Sequence, residues 1–480
     1  MIDKGRPVVI TLDKDSDRPM YIQIYEKLKN DIETGILKPD MRLPTIRRLA
    51  LELEVNTVTV INAYRLLEEN RLVYKRGGSG TYVLPIKEGL ITEVKEESLV
   101  DDADYSLQSL SAKNVVDFAS ASPDPQLFPI VDFRKAVNEV LERDGGLAFT
   151  YQDSHGYMPL RESICDYIGK KGIAATADDI NIISGAQQGI DIISRVLLSS
   201  GDYVFVESPT YMGAIAVFRS RGAKIIEIPL LNDGLDMVEL EKRLKFIKPK
   251  FIYIMPNFQN PTGCSYSERK KKHLLLLCKK YGVMVLEDDY LSELSYIEKG
   301  SLPLKSYDKY NNVIYIKSFS KIFMPGLRVA YLMIPEQIKD KVANAKYMTD
   351  ISTSGFMQRV LDIYFRSGIW NKHLIYMKKE YSIRYYEAVR ASRKFLRGAS
   401  FMQPNGGLNL WIRLPDNIDS VALLEACKEK NVIFTPGTAF LSGSEGRAYM
   451  RLSFAAASPE RIAEGISVIG QCMESIKTGT

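Results

Sequence analysis

The sequence predicts two folded parts: a small N-terminal unit of three helices closed by a β-hairpin, then a large α/β domain on an open sheet of parallel strands. Three observations carry this. At 480 residues the chain is too long for one ordinary core. From about residue 114 onward, short continuous apolar runs alternate with helical segments, which is the βαβ pattern. Between the two parts, residues 86–113 hold 3 Lys/Arg against 7 Asp/Glu and few aromatics. That stretch reads as a linker, with a surface helix around 87–97 as the competing reading. The expected boundaries are therefore 1–85, 86–113 and 114–480.

In the first part Tyr21, Ile22, Tyr25, Leu28 and Ile32 recur at helical spacing. Pro39 and Pro44 punctuate a turn, and a short helix runs from Thr45, a plausible N-cap, to Leu53. After a tight turn at Val55–Thr57, Val60, Ala63, Tyr64 and Leu67 form one apolar face of a third helix. Leu72-Val73-Tyr74 and Thr81-Tyr82-Val83 flank KRGGSG, two short β runs around a glycine-rich turn. In the second part the runs INIISG, DYVFVES, KIIEIPL, KFIYIMPN, VMVLEDD and NVIYIKS show no polar alternation, as expected of parallel strands buried on both faces.

Composition excludes several classes. Hydrophobic residues make up 45% and charged residues 26%, the balance of a globular protein. No apolar run of about 18 residues predicts a membrane span, and the N-terminus has acidic residues and lacks the apolar stretch of a signal peptide. The five cysteines are scattered without CxxC spacing, which suits a reducing cytoplasm, and the three histidines do not cluster, so no metal site is expected. A net charge of +5 is too small to argue for nucleic acid by itself.

In open α/β sheets chemistry gathers beyond the carboxyl ends of the strands. NVIYIKS leads into Ser318-Phe319-Ser320-Lys321, a lysine placed to act as a Schiff-base amine, with Arg328 seven residues on as a phosphate clamp. VMVLE leads into Asp288, which can keep a pyridinium nitrogen protonated, and Tyr290, which can donate to a phenolate oxygen. FIYIMP leads into Asn260, whose amide can reach the same oxygen. INIIS leads into Gly185-Ala186-Gln187 at a helix start, a backbone cradle for a phosphate. VFVESP leads into Tyr211, which can stack on a ring, and Arg451 near the end can take a ligand carboxylate. Taken singly, each has a bland reading as a surface lysine, a turn or a cap. Five strand ends each offering a group suited to pyridoxal 5′-phosphate outweigh those readings.

Residues from about 114 to 480 resemble the type I aminotransferase fold, in the order Tyr151, Gly185-Ala186-Gln187, Tyr211, Asn260, Asp288, Tyr290, Lys321, Arg328, Arg451. The resemblance implies a large subdomain of about 160–345 and a small one of about 346–480. It also implies that Tyr151 reaches the phosphate of a neighbouring subunit, hence a dimer, and it leaves Arg161 a structural role.

Residues from about 18 to 84 resemble the winged helix-turn-helix of GntR regulators, through Leu43-Pro44-Thr45, Arg47, Leu49-Ala50, Val55, Thr59-Val60, Ala63-Tyr64, Leu67 and Gly78-Ser79-Gly80-Thr81-Tyr82-Val83. The third helix then enters the major groove and turns Asn56, Thr57, Val58, Asn62 and Arg65 to the DNA. Arg42, Arg47, Arg48, Lys75 and Arg76 form a basic rim, and Gly78 lies in the wing. Two positions depart from the family: Thr57 where Arg is frequent, and Arg71 where Gly is. The combination resembles the MocR-type subfamily. It implies a cytoplasmic, head-to-tail homodimeric transcription regulator that binds a double-stranded operator and senses pyridoxal 5′-phosphate, or an amine or amino-acid effector, through an aldimine at Lys321. The competing expectation is an active aminotransferase with a DNA-binding module. A third and weaker one is a site reduced to a structural plug.

Overall fold

The structure, a computed structural model, describes residues 10, 12, 18–33, 36–38, 41–69, 72–76, 80–83, 114–297, 300–441 and 443–478. Gly78, Arg71 and the expected linker 86–113 lie outside the described residues. The chain divides into two compact units, Met1–Glu93 and Val94–Thr480.

The first unit holds α1 (Met20–Glu33), α2 (Ile46–Glu52), α3 (Thr57–Glu69), β1 (Val73–Arg76) and β2 (Gly80–Val83). Ile24, Leu28 and Ile32 follow one another every four residues and are all buried against Val60, Ala63, Tyr64 and Leu67. Thr45 caps α2 by accepting the Arg48 amide at 3.4 Å. Tyr64 donates to the Pro44 carbonyl at 2.8 Å, which ties α3 to the segment before α2. β1 and β2 pair antiparallel from Val73↔Val83 to Arg76↔Gly80. Residues 41–43 lie along the open edge of β2, through Leu43 N to Thr81 O and Val83 N to Met41 O, both 2.9 Å. The order of three helices, with the second and third joined by a tight turn, and a closing hairpin is that of a winged helix-turn-helix.

The second unit opens on β3 (Val116–Phe118). Its main sheet comprises β4 (Ile180–Ile183), β5 (Tyr203–Ser208), β6 (Lys224–Leu231), β7 (Gly234–Leu235), β8 (Phe251–Ile254), β9 (Met284–Asp289), β10 (Val313–Ser318) and β11 (Ala330–Met333). They lie in the order β4-β11-β10-β9-β8-β5-β6-β7, with apolar cores on the helices that cover them. The six expected strands are present, but the sheet is not wholly parallel. β11 runs antiparallel between β10 and β4, and the two-residue β7 folds back on β6. β6 also differs from expectation: it is only partly covered, because beyond its pairing to β5 its outer edge has only the two-residue β7 beside it. A smaller sheet takes β12 (Ser400–Phe401), β13 (Asn409–Arg413), β14 (Val432–Pro436) and β15 (Tyr449–Ser453) in the order β12-β13-β15-β14-β3. β3 lies parallel to β14, with Val116 opposite Val432, so residues before 346 contribute to this C-terminal sheet. No helix among the described residues is long and apolar enough to cross a membrane.

Candidate functional site

The antiparallel strand β11 is what assembles one end of the site. Its first residue, Ala330, pairs with Ser318 at the end of β10 on one side and with Ile183 at the end of β4 on the other. Arg328, two residues before β11, therefore stands at the same sheet edge as Gly185, two residues after β4. Its Nη2 donates to the Ser184 carbonyl at 3.0 Å. Gly185 has φ +99°, and a Cβ there would stand 2.1 Å from Arg328 Nη2, so only glycine admits the guanidinium. Helix Ala186–Leu197 starts at this point, with Gly185 as an N-cap that offers no side chain to its first amides. Gln187 donates to the Gly213 carbonyl at 2.8 Å and accepts from the Tyr211 hydroxyl at 3.3 Å. Tyr211 in turn lies where a Cβ at residue 213 would meet its ring at 2.3 Å, so a side chain there would push the ring from this place. Gly185, Ala186, Gln187, Tyr211 and Arg328 thus form one cationic, donor-rich corner.

Ser318 Oγ accepts the Ser320 amide at 3.2 Å, which turns the chain sharply after β10. Lys321 follows on that turn, half-buried, with its carbonyl accepting the Tyr381 hydroxyl at 3.3 Å. In the parallel ladder Asp288 lies opposite Ile316. The Asp288 carboxylate is buried and accepts from the Tyr253 hydroxyl at 2.9 Å through Oδ2, while Oδ1 has no partner. Burial pushes its carboxyl up to about 6, against the Tyr253 hydrogen bond and the Lys317 ammonium, which pull it down. A buried carboxylate oxygen without a donor is what a protonated ring nitrogen can satisfy.

Arg451 and Asn260 meet directly. Arg451 Nη1 donates to Asn260 Oδ1 at 3.1 Å, Nη2 donates to Thr435 Oγ1 at 2.8 Å and to the Ala119 carbonyl, and the guanidinium stands 5.0 Å from the Phe440 ring centre. Because Asn260 presents its oxygen to Arg451, its NH₂ is the group left to donate elsewhere. Tyr290 departs from expectation. The sequence points to it as a donor to a cofactor oxygen, whereas its buried hydroxyl donates to the Phe258 carbonyl. Tyr151 is not brought to the other groups within one chain, and it is 82% exposed.

Several contributors were not foreseen. Tyr253 sits inside an apolar run and reads as core, and Tyr381, Thr435, Ala119 and Phe440 come from segments with no strand-end signal. Beneath the sheet a second group of charges is buried. Lys317 Nζ pairs with Asp289 at 3.1 Å and with Glu293 at 2.5 Å, Glu293 also takes the Lys171 ammonium and the Tyr167 hydroxyl, and Tyr315 donates to Asp289 at 2.6 Å. The two ammonium groups hold the Glu293 carboxyl well below the usual carboxylate range despite its burial.

In the first unit Arg47, Arg48, Thr57 and Arg65 are exposed and Asn62 is half-buried. Arg48 is paired with Glu52 at 2.7 Å. Asn56 does less toward DNA than its side chain suggested, since its Oδ1 accepts the Val58 amide at 2.9 Å and so caps α3. Lys75 and Arg76 are the last two residues of β1.

Residues 113–469 match the family described as aminotransferase class I and II, and residues 20–83 match bacterial regulatory proteins of the gntR family. The chain is 29% identical to YdcR of Escherichia coli, an uncharacterized HTH-type transcriptional regulator, over 95% of this chain and 99% of that one. It is 27% identical to MocR of Rhizobium meliloti, named a probable rhizopine catabolism regulatory protein, over 96% and 94%. Among solved structures, the α-aminoadipate aminotransferase LysN of Thermus thermophilus, bound to N-(5′-phosphopyridoxyl)-L-leucine, superposes with a TM-score of 0.74 at 30% identity, covering 82% of this chain and 97% of that one. The chain therefore belongs to the aminotransferase class I and II family and joins to that domain a GntR-type helix-turn-helix, the pairing carried by its MocR-type regulator relatives.

Proposed function

We propose that the chain is a pyridoxal 5′-phosphate-dependent, DNA-binding transcription regulator that senses an amine or amino acid at Lys321. The observation that carries this is the fit of one corner to the cofactor: a glycine-only cradle under Arg328 and a buried Asp288 oxygen without a donor, in a chain that also bears a helix-turn-helix. When bound, the cofactor supplies a reactive carbonyl carbon and an electron-withdrawing ring. The amides of Gly185, Ala186 and Gln187, the hydroxyls of Ser318 and Ser320, and Arg328 would hold its phosphate. Asp288 would keep its ring nitrogen protonated, Tyr211 would cover one ring face, and the Asn260 amide would reach its phenolate oxygen, which the Tyr290 hydroxyl could share only by leaving the Phe258 carbonyl.

Lys321 would offer the amine that holds the cofactor in the resting protein. A ligand amine would take the place of Lys321 there, and Arg451, fixed by Thr435 and Asn260, would hold the ligand carboxylate. The Lys321 turn would then be held by protein contacts, those of Ser318 and Tyr381 among them. Ligand binding can change DNA affinity only as far as the ligand prefers one arrangement of the protein over another. Three exposed apolar side chains in one short segment, Leu147, Phe149 and Tyr151, support a dimer in which the partner's Tyr151 completes the phosphate site. A head-to-tail arrangement and a cytoplasmic location follow the same reading.

Binding to the DNA upstream of the protein's own gene tests it. With the cofactor present, amino acids should change the affinity of wild-type protein about tenfold, a typical coupling, and leave Lys321→Ala unresponsive. An equal response in both would overturn the reading. The second reading, a working aminotransferase, is favoured by one observation: Lys321, Asp288, Asn260 and Arg451 are all retained, the last two in contact. Many turnovers per minute with an amino acid and a 2-oxo acid would establish it.

A further inference from the structure

We propose that α3 reads thymine C5-methyl groups, so that each operator half-site carries thymines under Val58 and Ile61. This rests on the DNA-binding reading above and adds to it the base that is read. The inner face of α3 is filled by Val60, Ala63, Tyr64 and Leu67, all buried. On its outer face Val58 is 56% exposed and Ile61 44% exposed, although a soluble helix normally turns such side chains inward. Val58, Ile61 and Arg65 follow at i, i+3 and i+7, so they form one stripe along the exposed side. Thr57 flanks this stripe, exposed, and Asn62 lies half-buried beside it.

The chemistry of the stripe selects the base. In the major groove only thymine presents a methyl group, whereas guanine presents two acceptors best matched by Arg or Lys. The first two turns of α3, Thr57 to Tyr64, contain no Arg or Lys. Asn56 offers a base only its NH₂, because its oxygen accepts the Val58 amide at 2.9 Å. What the beginning of α3 offers is therefore apolar surface edged by a hydroxyl and an amide. The occupant is DNA rather than a protein because the surroundings are cationic: Arg42 before α2 and Arg47 on α2 are exposed, as is Arg48 beside its Glu52 partner, and Arg65 is exposed on α3. Phosphates on either side of the groove would meet those groups while the methyls fill the stripe between them.

The test uses the full-length protein with its cofactor. Duplexes recovered from a random-sequence pool define the preferred site. Each thymine in that site is then replaced by deoxyuridine, which removes only the methyl. Losing one buried methyl should weaken binding about three- to tenfold at one or more positions in each half-site. In Val58→Ala or Ile61→Ala, at surface positions that leave the core intact, the same replacement should change binding less than about twofold. A preferred site with no deoxyuridine-sensitive thymine would overturn the proposal and leave the DNA-binding reading standing. A penalty that survives in both variants would also overturn it, since another group would then read the methyl. Recovery of no preferred site at all would overturn both together.

Discussion

Asp288 carries an electrostatic load that a bound cofactor would relieve. Its carboxyl sits at about 6 in the folded chain because burial disfavours the charge, whereas an unfolded aspartate titrates near about 3.9. The folded state therefore binds a proton more readily between those values. The group's contribution to stability falls as pH rises from about 4 to about 6 and is flat above, a loss on the order of 3 kcal/mol. Asp288→Asn has no such arm. In thermal melts of cofactor-free protein, the wild-type Tm measured relative to Asp288→Asn should drop across that window, and adding cofactor should shrink the drop. A difference that is level or rising from pH 4 to 6 would show that this charge is not the one under strain. Gly185 gives a second prediction at this scale. Alanine there meets both an unfavourable φ and the Arg328 guanidinium, so Gly185→Ala should cost about 1–3 kcal/mol of stability. By displacing a charge-assisted phosphate contact it should also weaken cofactor binding about tenfold or more, read by absorbance titration. Unchanged affinity would mean that Arg328 does not serve the phosphate.

Between the strands, the Lys317 ammonium holds β10 to β9 and to the segment after it, through Asp289 and Glu293. Lys317→Met would leave both carboxylates buried, and should cost about 3–5 kcal/mol in urea unfolding. Adding Asp289→Asn to that variant should restore about 1–3 kcal/mol, because the two groups share one network. A cost below about 1 kcal/mol for Lys317→Met alone would show that the network does not brace these strands. The same elements show how far the sequence could be read. The strand-end rule found Gly185, Tyr211, Asn260, Asp288 and Lys321 because each follows directly from an apolar run. It did not find Tyr253, whose ring belongs to the run and whose hydroxyl reaches Asp288. Nor could it give the direction of β11. A four-residue strand buried on both faces has the same pattern either way round, and only pairing to Ser318 and Ile183 shows that it runs backwards. β3 is three residues long, too short for any periodicity, and its partner β14 lies more than 300 residues away.

For the whole molecule, the open question is whether a site belongs to one chain or two. Tyr151 is 82% exposed and touches none of the groups around Lys321 within its own chain. Leu147 and Phe149 beside it are 68% and 66% exposed, an apolar surface that a second copy would cover. The resemblance that gave Tyr151 its role concerns an assembly, and no pattern within one chain could have tested it. A mixed dimer separates the two cases. Tyr151→Phe alone should weaken cofactor binding about tenfold, the value of one charge-assisted hydrogen bond. Lys321→Ala alone should abolish borohydride trapping of the cofactor. In a dimer pairing one chain of each variant, the chain with Tyr151→Phe keeps its own Lys321 and faces the partner's Tyr151. If Tyr151 acts across the interface, that chain regains wild-type affinity and traps cofactor at low concentration. If Tyr151 serves its own chain, the mixed dimer has no intact site, and trapping at low cofactor concentration stays as weak as in the Tyr151→Phe homodimer.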